Sequence, residues 1–180
     1  MNAAEVSMAG ERGGSSGVGY RKVLLFAVVL GSVLLVDLAT KLAVERFMSL
    51  YQEIDLIGDY VRLTFIHNPG AAFGIKVGEA SRPIFMLLSI IALGALLAMY
   101  WFTPVGDRVR LTAISLICGG AIGNLIDRIR STDGVIDFLD IGIGETRWPV
   151  FNVADIAVTA GAIILALSLW KEEQHVGRGG

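Results

Sequence analysis

The stretch Gly119-Gly120-Ala121-Ile122-Gly123-Asn124-Leu125-Ile126-Asp127-Arg128 ends a long apolar segment with an amide, an acid and a base. A second stretch, Asn152-Val153-Ala154-Asp155, stands where the next apolar segment begins. Both contain the pattern Asn-x-x-Asp, and residues three apart share one face of a helix. Because one helix ends with the pattern and the next begins with it, the two carboxylates are predicted to lie at the same membrane face.

The composition is typical of a membrane protein. Hydrophobic residues make up 54% of the 180 residues and charged residues only 18%, whereas soluble domains carry about 25% charged residues. The length suits one domain. The net charge of −2 offers no basic surface for nucleic acid. The single cysteine, Cys118, lies in an apolar run, so an intrachain disulfide is excluded and a packing role is predicted.

Four apolar segments are long enough to cross a bilayer, which takes about 20 residues. The predicted spans are residues 22–44, 83–103, 111–128 and 150–170. Residues 1–19 are rich in Gly and Ser and are predicted to form a disordered tail, and residues 172–180 form a C-terminal tail. The fold class predicted for residues 20–171 is therefore a mainly α membrane protein with four transmembrane helices.

Short strands are predicted in the two long polar connections, residues 45–82 and 129–147. Val61-Arg62-Leu63-Thr64-Phe65 alternates apolar and polar residues, as a strand does, and residues 54–56 can pair with it. A further strand is predicted at residues 134–140. Residues 66–74 contain proline and glycine and are predicted to form an irregular loop.

The distribution of positive charge predicts the orientation of the chain. Four spans put both termini on one side of the membrane. Lys and Arg are equally numerous on the two sides, but the termini and the 107–110 connection are shorter than the other two loops. The higher density of positive charge predicts cytoplasmic termini, with both long loops and both Asn-x-x-Asp patterns toward the extracytoplasmic face.

The charged residues at this face allow a structural and a functional interpretation. Asp37 and Lys41 have the i,i+4 spacing of a helix ion pair, and Asn152 stands where an N-cap for the fourth span is expected. Charges within membrane spans cost about 2.5–3.5 kcal/mol at mid-helix and are functional candidates by default. Singly, each residue is open to both interpretations, and the repeated Asn-x-x-Asp pattern favours function.

Two neighbouring carboxylates have a recognised chemistry. Ionising both carboxyl groups at once is energetically unfavourable, so the pair shares one proton. The ionised carboxylate can take a proton from water, and the neutral one can donate a hydrogen bond to a carbonyl, which suits peptide hydrolysis. Other mechanisms fit less well, because Ser32 is more than two turns from Lys41 and the histidines at 67 and 175 form no zinc motif.

Four motifs together resemble one known family. They are Asp37-x-x-x-Lys41, Asn68-Pro69-Gly70-Ala71-Ala72-Phe73-Gly74, Gly123-Asn124-Leu125-Ile126-Asp127-Arg128 and Phe151-Asn152-Val153-Ala154-Asp155. In this order and spacing, over residues 22–171, they are similar to lipoprotein signal peptidase, also called signal peptidase II.

The resemblance implies a bacterial inner-membrane aspartic endopeptidase. Such an enzyme removes the signal peptide from prolipoproteins, just before the cysteine that carries diacylglycerol. The resemblance implies that Asp127 and Asp155 are the catalytic acids and that no metal or cofactor takes part. The supporting residues that it implies are Asn124, Arg128, Asn152, Asn68, Asp37 and Lys41. It also implies a small extracytoplasmic β-sheet cradle, contact with membrane lipid and binding of globomycin. We expect the protein to be a monomer.

Two other classes of protein explain part of the pattern. A transporter or channel would use the membrane acids as a cation or proton site, although four spans without inverted repeats make a small transporter. A structural membrane subunit would pair its charges with a partner protein. Cleavage of a lipidated peptide by the purified protein distinguishes a peptidase from both.

Overall fold

Each of the four apolar segments forms a helix in the computed structural model. The structure describes the backbone of residues 3–70 and 80–177 and the side chains of residues 19–70 and 80–174. The helices are α1 (Ala3–Phe47), α2 (Ser81–Phe102), α3 (Arg108–Arg130) and α4 (Val153–Gly177). Their apolar parts are 22 to 29 residues long, enough to cross a bilayer. The predicted fold of four transmembrane helices is confirmed.

Helices α1 and α4 are longer than the sequence predicts. Helix α1 begins at Ala3, within the segment predicted to be a disordered tail, and α4 continues to Gly177, through most of the predicted C-terminal tail. Forming the first turn of a helix is unfavourable, but adding residues to an existing helix is not. Each membrane span therefore provides a formed helix that the neighbouring residues can extend. Composition alone, which was the basis of the tail predictions, does not include this effect.

The two long polar connections form one antiparallel sheet in the order β1-β2-β3-β4. The strands are β1 (Glu53–Ile57), β2 (Val61–Asn68), β3 (Val135–Ile143) and β4 (Thr146–Arg147). The predicted pairing of the first two strands is confirmed, with Ile54 opposite Leu63, and Leu63 in turn lies opposite Leu139 of β3. The small sheet of the predicted fold class is therefore present.

Two details of the sheet differ from the prediction. Strand β2 continues to Asn68, so residues 66–68 are strand where an irregular loop was predicted. The hydrogen bonds to β3 extend the strand, since Asn68 lies opposite Val135, and this pairing between distant segments leaves no local sequence signal. Strand β4 has only two residues and was not predicted. Residues 71–74 of the predicted loop lie outside the described residues.

A small apolar cluster joins the sheet to the end of the helix bundle. It contains Val44 at the end of α1, Phe65 of β2, and Ile136 and Phe138 of β3, all buried. Burying such side chains contributes about 1.5–3 kcal/mol each. The cluster holds β2 and β3 over the end of the bundle at which both Asn-x-x-Asp patterns lie.

Glycines bring α3 into close contact with its neighbours. A Cβ atom at Gly120 would collide with the carbonyl oxygen of Ala154 on α4, and one at Gly123 with the carboxylate of Asp37 on α1. Only glycine permits helix backbones to approach this closely. Cys118, two residues before Gly120, is fully buried, which agrees with its predicted packing role.

Replacing Gly120 by alanine should therefore destabilise the bundle. The added methyl group meets backbone, which cannot rotate away, and such overpacking costs about 1–3 kcal/mol. We expect a lower unfolding midpoint in detergent micelles, followed by tryptophan fluorescence. Gly94→Ala on α2 is the control, because a Cβ there meets nothing within 4 Å. Equal midpoints for the two variants would contradict this account of the helix contact.

Candidate active site

A buried lysine lies between two acids at one end of the bundle. The Lys41 ammonium nitrogen is 2.8 Å from Asp37 Oδ2 and 2.8 Å from Asp127 Oδ2, and it donates a hydrogen bond to Asn124 Oδ1 at 3.0 Å. Lys41 is 1% exposed and Asp37 is fully buried. The predicted i,i+4 ion pair of α1 is confirmed, and it includes a third charged residue. We call Asp37, Lys41 and Asp127 the acid–base cluster.

The acid–base cluster links three helices and the sheet. Asp37 on α1 accepts a hydrogen bond of 2.9 Å from the backbone N–H of Ala154, at the start of α4. Asp127 on α3 accepts one of 3.4 Å from the N–H of Ile136 on β3. Buried charges are retained when they are paired and hydrogen-bonded in this way. The carboxylate of Asp127 is thus engaged by an ammonium ion and a backbone amide.

Asn152 and Asp155 form a reciprocal cap at the start of α4. Asn152 Oδ1 accepts a hydrogen bond of 3.0 Å from the N–H of Asp155, and Asp155 Oδ2 accepts one of 3.1 Å from the N–H of Asn152. This is the geometry of a capping box. Asp155 Oδ1 also accepts a hydrogen bond of 2.8 Å from the Asn124 amide. The structural interpretation of Asn152 as a cap is confirmed, and the cap orients the Asp155 carboxylate.

A further buried acid, Asp137 of β3, lies beside this cap. Its Oδ1 accepts a hydrogen bond of 2.7 Å from the Asn152 amide, and its Oδ2 accepts one of 2.9 Å from the Asn68 amide. Asp137 is 2% exposed. It was predicted to lie in a strand but was not among the predicted site residues. The available signal was an acid within the apolar run Val135-Ile136-Asp137-Phe138-Leu139.

Asp137 and Asp155 line the same cavity, which we call the acid cavity. It has a volume of about 480 Å³, and its lining also includes the polar side chains of Asn68, Arg128 and Thr159. Asp127 is not among the residues that line it. Among the described residues no hydrogen bond joins Asp127 to Asp155, and Lys41 and Asn124 lie between them. The structure therefore brings Asp155 together with Asp137, where the sequence predicted a pairing with Asp127.

The two acids of the acid cavity have different surroundings. Burial, and after it the negative charge of Asp155, raise the pKa of Asp137 to about 7, although hydrogen bonds from Asn68 and Asn152 oppose the rise. Loss of solvation disfavours the charged form of a buried carboxyl group. Near neutral pH the neutral form of Asp137 is therefore populated, and a neutral carboxyl group can donate a hydrogen bond.

Arg128 supplies the positive charge on the wall of the acid cavity. Its guanidinium donates hydrogen bonds to the carbonyl oxygens of Gly70, at 3.0 Å, and Asn124, at 3.1 Å. The backbone carbonyl of Arg128 accepts a hydrogen bond of 2.7 Å from Arg82. Arg128 thus connects the end of α3 to the chain beyond β2, close to Asn68.

The chain matches the family model described as signal peptidase (SPase) II over residues 29–171. It belongs to the signal peptidase II family. The lipoprotein signal peptidase of Geobacter sulfurreducens is 42% identical, with 83% of this chain and 92% of that protein covered. The lipoprotein signal peptidase of Halothermothrix orenii is also 42% identical, covering 84% of this chain and 98% of that protein.

A solved structure supports the same assignment to the signal peptidase II family. It is described as a bacterial membrane enzyme, has a TM-score of 0.76 and 32% identity, and covers 83% of this chain and 90% of its own. The signal peptidase II family consists of aspartic peptidases. This membership confirms the predicted resemblance. It also shows that the protein is an enzyme, and not the transporter or structural subunit that the sequence left as alternatives.

Removal of the Lys41 ammonium group should destabilise the acid–base cluster. Lys41→Met leaves Asp37 and Asp127 as neighbouring buried acids without compensation, which typically costs about 3–5 kcal/mol. We expect a much lower free energy of unfolding in a denaturant titration in micelles. Adding Asp127→Asn to Lys41→Met should recover part of the loss, because one uncompensated charge is removed.

Lys171→Met is the matched control for Lys41→Met, since Lys171 is exposed near the end of α4. It should change the free energy of unfolding by no more than about 0.5 kcal/mol, as surface substitutions usually do. Similar losses in both lysine variants, or no recovery in the double variant, would contradict the role given to the acid–base cluster.

Proposed function

We propose that this membrane peptidase removes the signal peptide from bacterial prolipoproteins, cutting just before the cysteine that carries diacylglycerol, and that Asp137 and Asp155 are its catalytic acids. The observation that carries the proposal is the presence of these two acids in one cavity with different surroundings. The names of its relatives in the signal peptidase II family support the substrate class. The proposal needs no metal or cofactor.

The unequal surroundings of the two acids suggest their roles. Neutral Asp137 donates a hydrogen bond to the carbonyl of the peptide bond, which polarises it. Asp155 acts as the general base, which takes a proton from the attacking water and returns one to the departing amine. Asn124 and Asn152 hold the Asp155 carboxylate in position, and Asn152 also holds Asp137. Arg128 lies where it can stabilise negative charge in the acid cavity.

This assignment gives Asp127 a supporting role in place of the catalytic role that the sequence predicted. The carboxylate of Asp127 is already engaged by the Lys41 ammonium group at 2.8 Å and by the backbone N–H of Ile136, and Asp127 is not among the residues that line the acid cavity. Asp37 and Lys41 complete the acid–base cluster and position α1 and α4. In this proposal they shape the site without contacting the substrate.

The apolar wall of the acid cavity suits a substrate that stays in the bilayer. The cavity continues from Asp155 along one face of α4, past Ile156, Thr159, Ala160 and Ile163, residues that share a face because they are three or four apart. We propose that lipid or the apolar signal segment occupies this wall. Globomycin, an inhibitor of enzymes of this type, would occupy the same cavity.

Asn68 is placed to connect the peptide to Asp137. Its amide nitrogen donates to Asp137, and its carbonyl oxygen accepts a hydrogen bond of 3.0 Å from the N–H of Gly70. The second amide hydrogen remains for a substrate carbonyl. We also propose that the enzyme acts as a monomer, since one chain supplies both proposed catalytic acids.

We further propose a bacterial inner-membrane location with cytoplasmic termini, so that the sheet and the acid cavity face the extracytoplasmic side. The higher density of Lys and Arg in the shorter segments at the opposite end of the bundle supports this orientation. Cysteines introduced at Glu53 of β1 and at Glu173 near the end of α4 test it with an impermeant thiol reagent. In intact cells we expect labelling at position 53 and not at 173, and the converse result would reverse the orientation.

The catalytic assignment predicts which acids are essential. Asp137→Asn and Asp155→Asn should each lower cleavage of a synthetic diacylglyceryl peptide at least about 100-fold, because general acid–base groups typically contribute 10²–10⁴. Asp127→Asn should be less stable and yet keep much more activity. Product formation by the purified variants in micelles is followed by mass spectrometry, with unfolding midpoints to verify that each variant is folded.

Asp140→Asn is the matched control on the same strand as Asp137. Asp140 is also buried, but it pairs with Arg147 and Thr64 and does not line the acid cavity. A folded Asp127→Asn variant without activity, beside an active Asp137→Asn variant, would return the catalytic role to Asp127. The same peptide without its diacylglyceryl group should be cut poorly, and equal cutting would contradict the proposed substrate.

The raised pKa of Asp137 predicts the pH dependence of catalysis. The required proton is present below a pH of about 7 and lost above it, so kcat/KM should fall on the basic side by about tenfold per pH unit. Asn68→Ala removes a hydrogen bond that lowers this pKa. The fall of kcat/KM on the basic side of its pH profile should therefore move to higher pH. Thr64→Val on the same strand is the control, because Thr64 bonds to Asp140 and not to Asp137. A fall that moves to lower pH in Asn68→Ala would contradict the assignment.

A further inference from the structure

Arg21, Lys22, Arg108 and Arg110 are four of the basic residues at the end of the bundle opposite the acid cavity, and two of these four have strong partners within the protein. Arg110 pairs with Asp107 at 3.2 Å and also with Glu172. Lys22 donates hydrogen bonds to the carbonyl oxygen of Thr103, at 2.8 Å, and that of Trp101, at 3.2 Å. Its ammonium nitrogen also lies 4.5 Å from the centre of the Tyr100 ring.

The other two basic residues, Arg21 and Arg108, are exposed. Within the ranges that the structure describes, neither guanidinium has an acidic partner. Arg21 stands at the start of the α1 span and Arg108 at the start of α3. Both lie at the depth where spans meet lipid headgroups, and both line one cavity of about 550 Å³. We call it the basic cavity.

Most of the basic cavity is apolar. Its α1 wall consists of Leu24, Leu25, Val28 and Val29, and Leu111 of α3 lies opposite. Leu24 and Val28 are about half exposed, at 45% and 57%, on a span that faces lipid. The cavity thus has a positively charged end at headgroup depth and an apolar wall that runs toward the middle of the bilayer.

We propose that the basic cavity binds an anionic phospholipid. Its phosphate lies between the guanidinium groups of Arg21 and Arg108, which can each donate two hydrogen bonds to phosphate oxygens. One acyl chain lies along the α1 wall, from Leu24 to Val29. Basic pockets between transmembrane helices are suited to such headgroups. The apolar wall distinguishes this ligand from free phosphate, which would leave that wall without a partner.

The bound lipid would join α1 to the α2–α3 connection, because Arg21 and Arg108 belong to different helices. Repulsion between these neighbouring cations, together with the charge of Lys22, opposes close packing at this end when no anion is present. An anionic headgroup removes that repulsion. This site is separate from the acid cavity, and it contains none of the residues proposed to act on the substrate.

Native mass spectrometry of the full-length protein tests the proposal. The protein is released from micelles holding equal amounts of phosphatidylglycerol and phosphatidylcholine with the same acyl chains. Each cation near an anionic lipid contributes about 1 kcal/mol, so two arginines predict a preference of about 30-fold for phosphatidylglycerol. The double variant Arg21→Gln with Arg108→Gln should lose most of this preference, and only the contribution of Lys22, which also lines the basic cavity, should remain.

Arg46→Gln with Arg130→Gln is the matched control. It removes the same charge from the same two helices at their other ends, so the preference for phosphatidylglycerol should remain. Val28→Trp fills the apolar wall at an exposed position and should lower retention of lipid in the presence of both arginines. Glycerol 3-phosphate, at the concentration of the lipid, should not displace it.

Three outcomes would overturn the proposal. The first is equal binding of the two lipids by the unaltered protein. The second is an equal loss of preference in the control double variant, which would indicate a general effect of charge. The third is displacement of the lipid by glycerol 3-phosphate, which would show that the apolar wall does not contribute to binding.

Discussion

The structure depends on keeping one ammonium ion buried between two carboxylates at the end of a helix bundle. Lys41, Asp37 and Asp127 come from two helices, and Asp37 also accepts a hydrogen bond from the first turn of α4. A charge in such a position is costly unless it is paired, so α1, α3 and α4 are constrained to meet at this point. The glycines of α3 permit that contact, because any larger residue at Gly120 or Gly123 would collide with its neighbours.

With α3 and α4 held together, the remaining polar groups form an ordered chain of hydrogen bonds. Asn124 accepts from Lys41 and donates to Asp155, and Asn152 caps α4 and donates to Asp137. The acids at the two ends of this chain differ in character. Asp127 is neutralised by a cation, whereas Asp137 is buried beside another acid and has a raised pKa. In the proposed mechanism, position in the network, and not residue type, separates a supporting acid from a catalytic one.

The two ends of the bundle present opposite chemistry to the membrane. One end holds the acids and a small sheet whose exposed face carries large apolar side chains, including Ile54, Leu56 and Ile57. The other end holds the basic cavity with Arg21 and Arg108. A peptidase whose substrate is anchored by lipid needs its reacting groups near headgroup depth and an apolar path beside them. The wall of the acid cavity along α4 combines these two requirements.

The sequence by itself determined the four spans, the main strand pairing, the ion pair of α1 and the capping role of Asn152, because helix periodicity, strand alternation and capping are local. It also determined the family, through four motifs in order. Only the tertiary structure decided which acid accompanies Asp155. Asp127 and Asp137 both lie near the end of α3, and both are candidate partners of Asp155 when only the sequence is considered. The pairing of β2 with β3 brings Asn68 to Asp137, while the contact of α1 with α3 brings Lys41 to Asp127. Those contacts join residues far apart in the chain, so no local pattern encodes them.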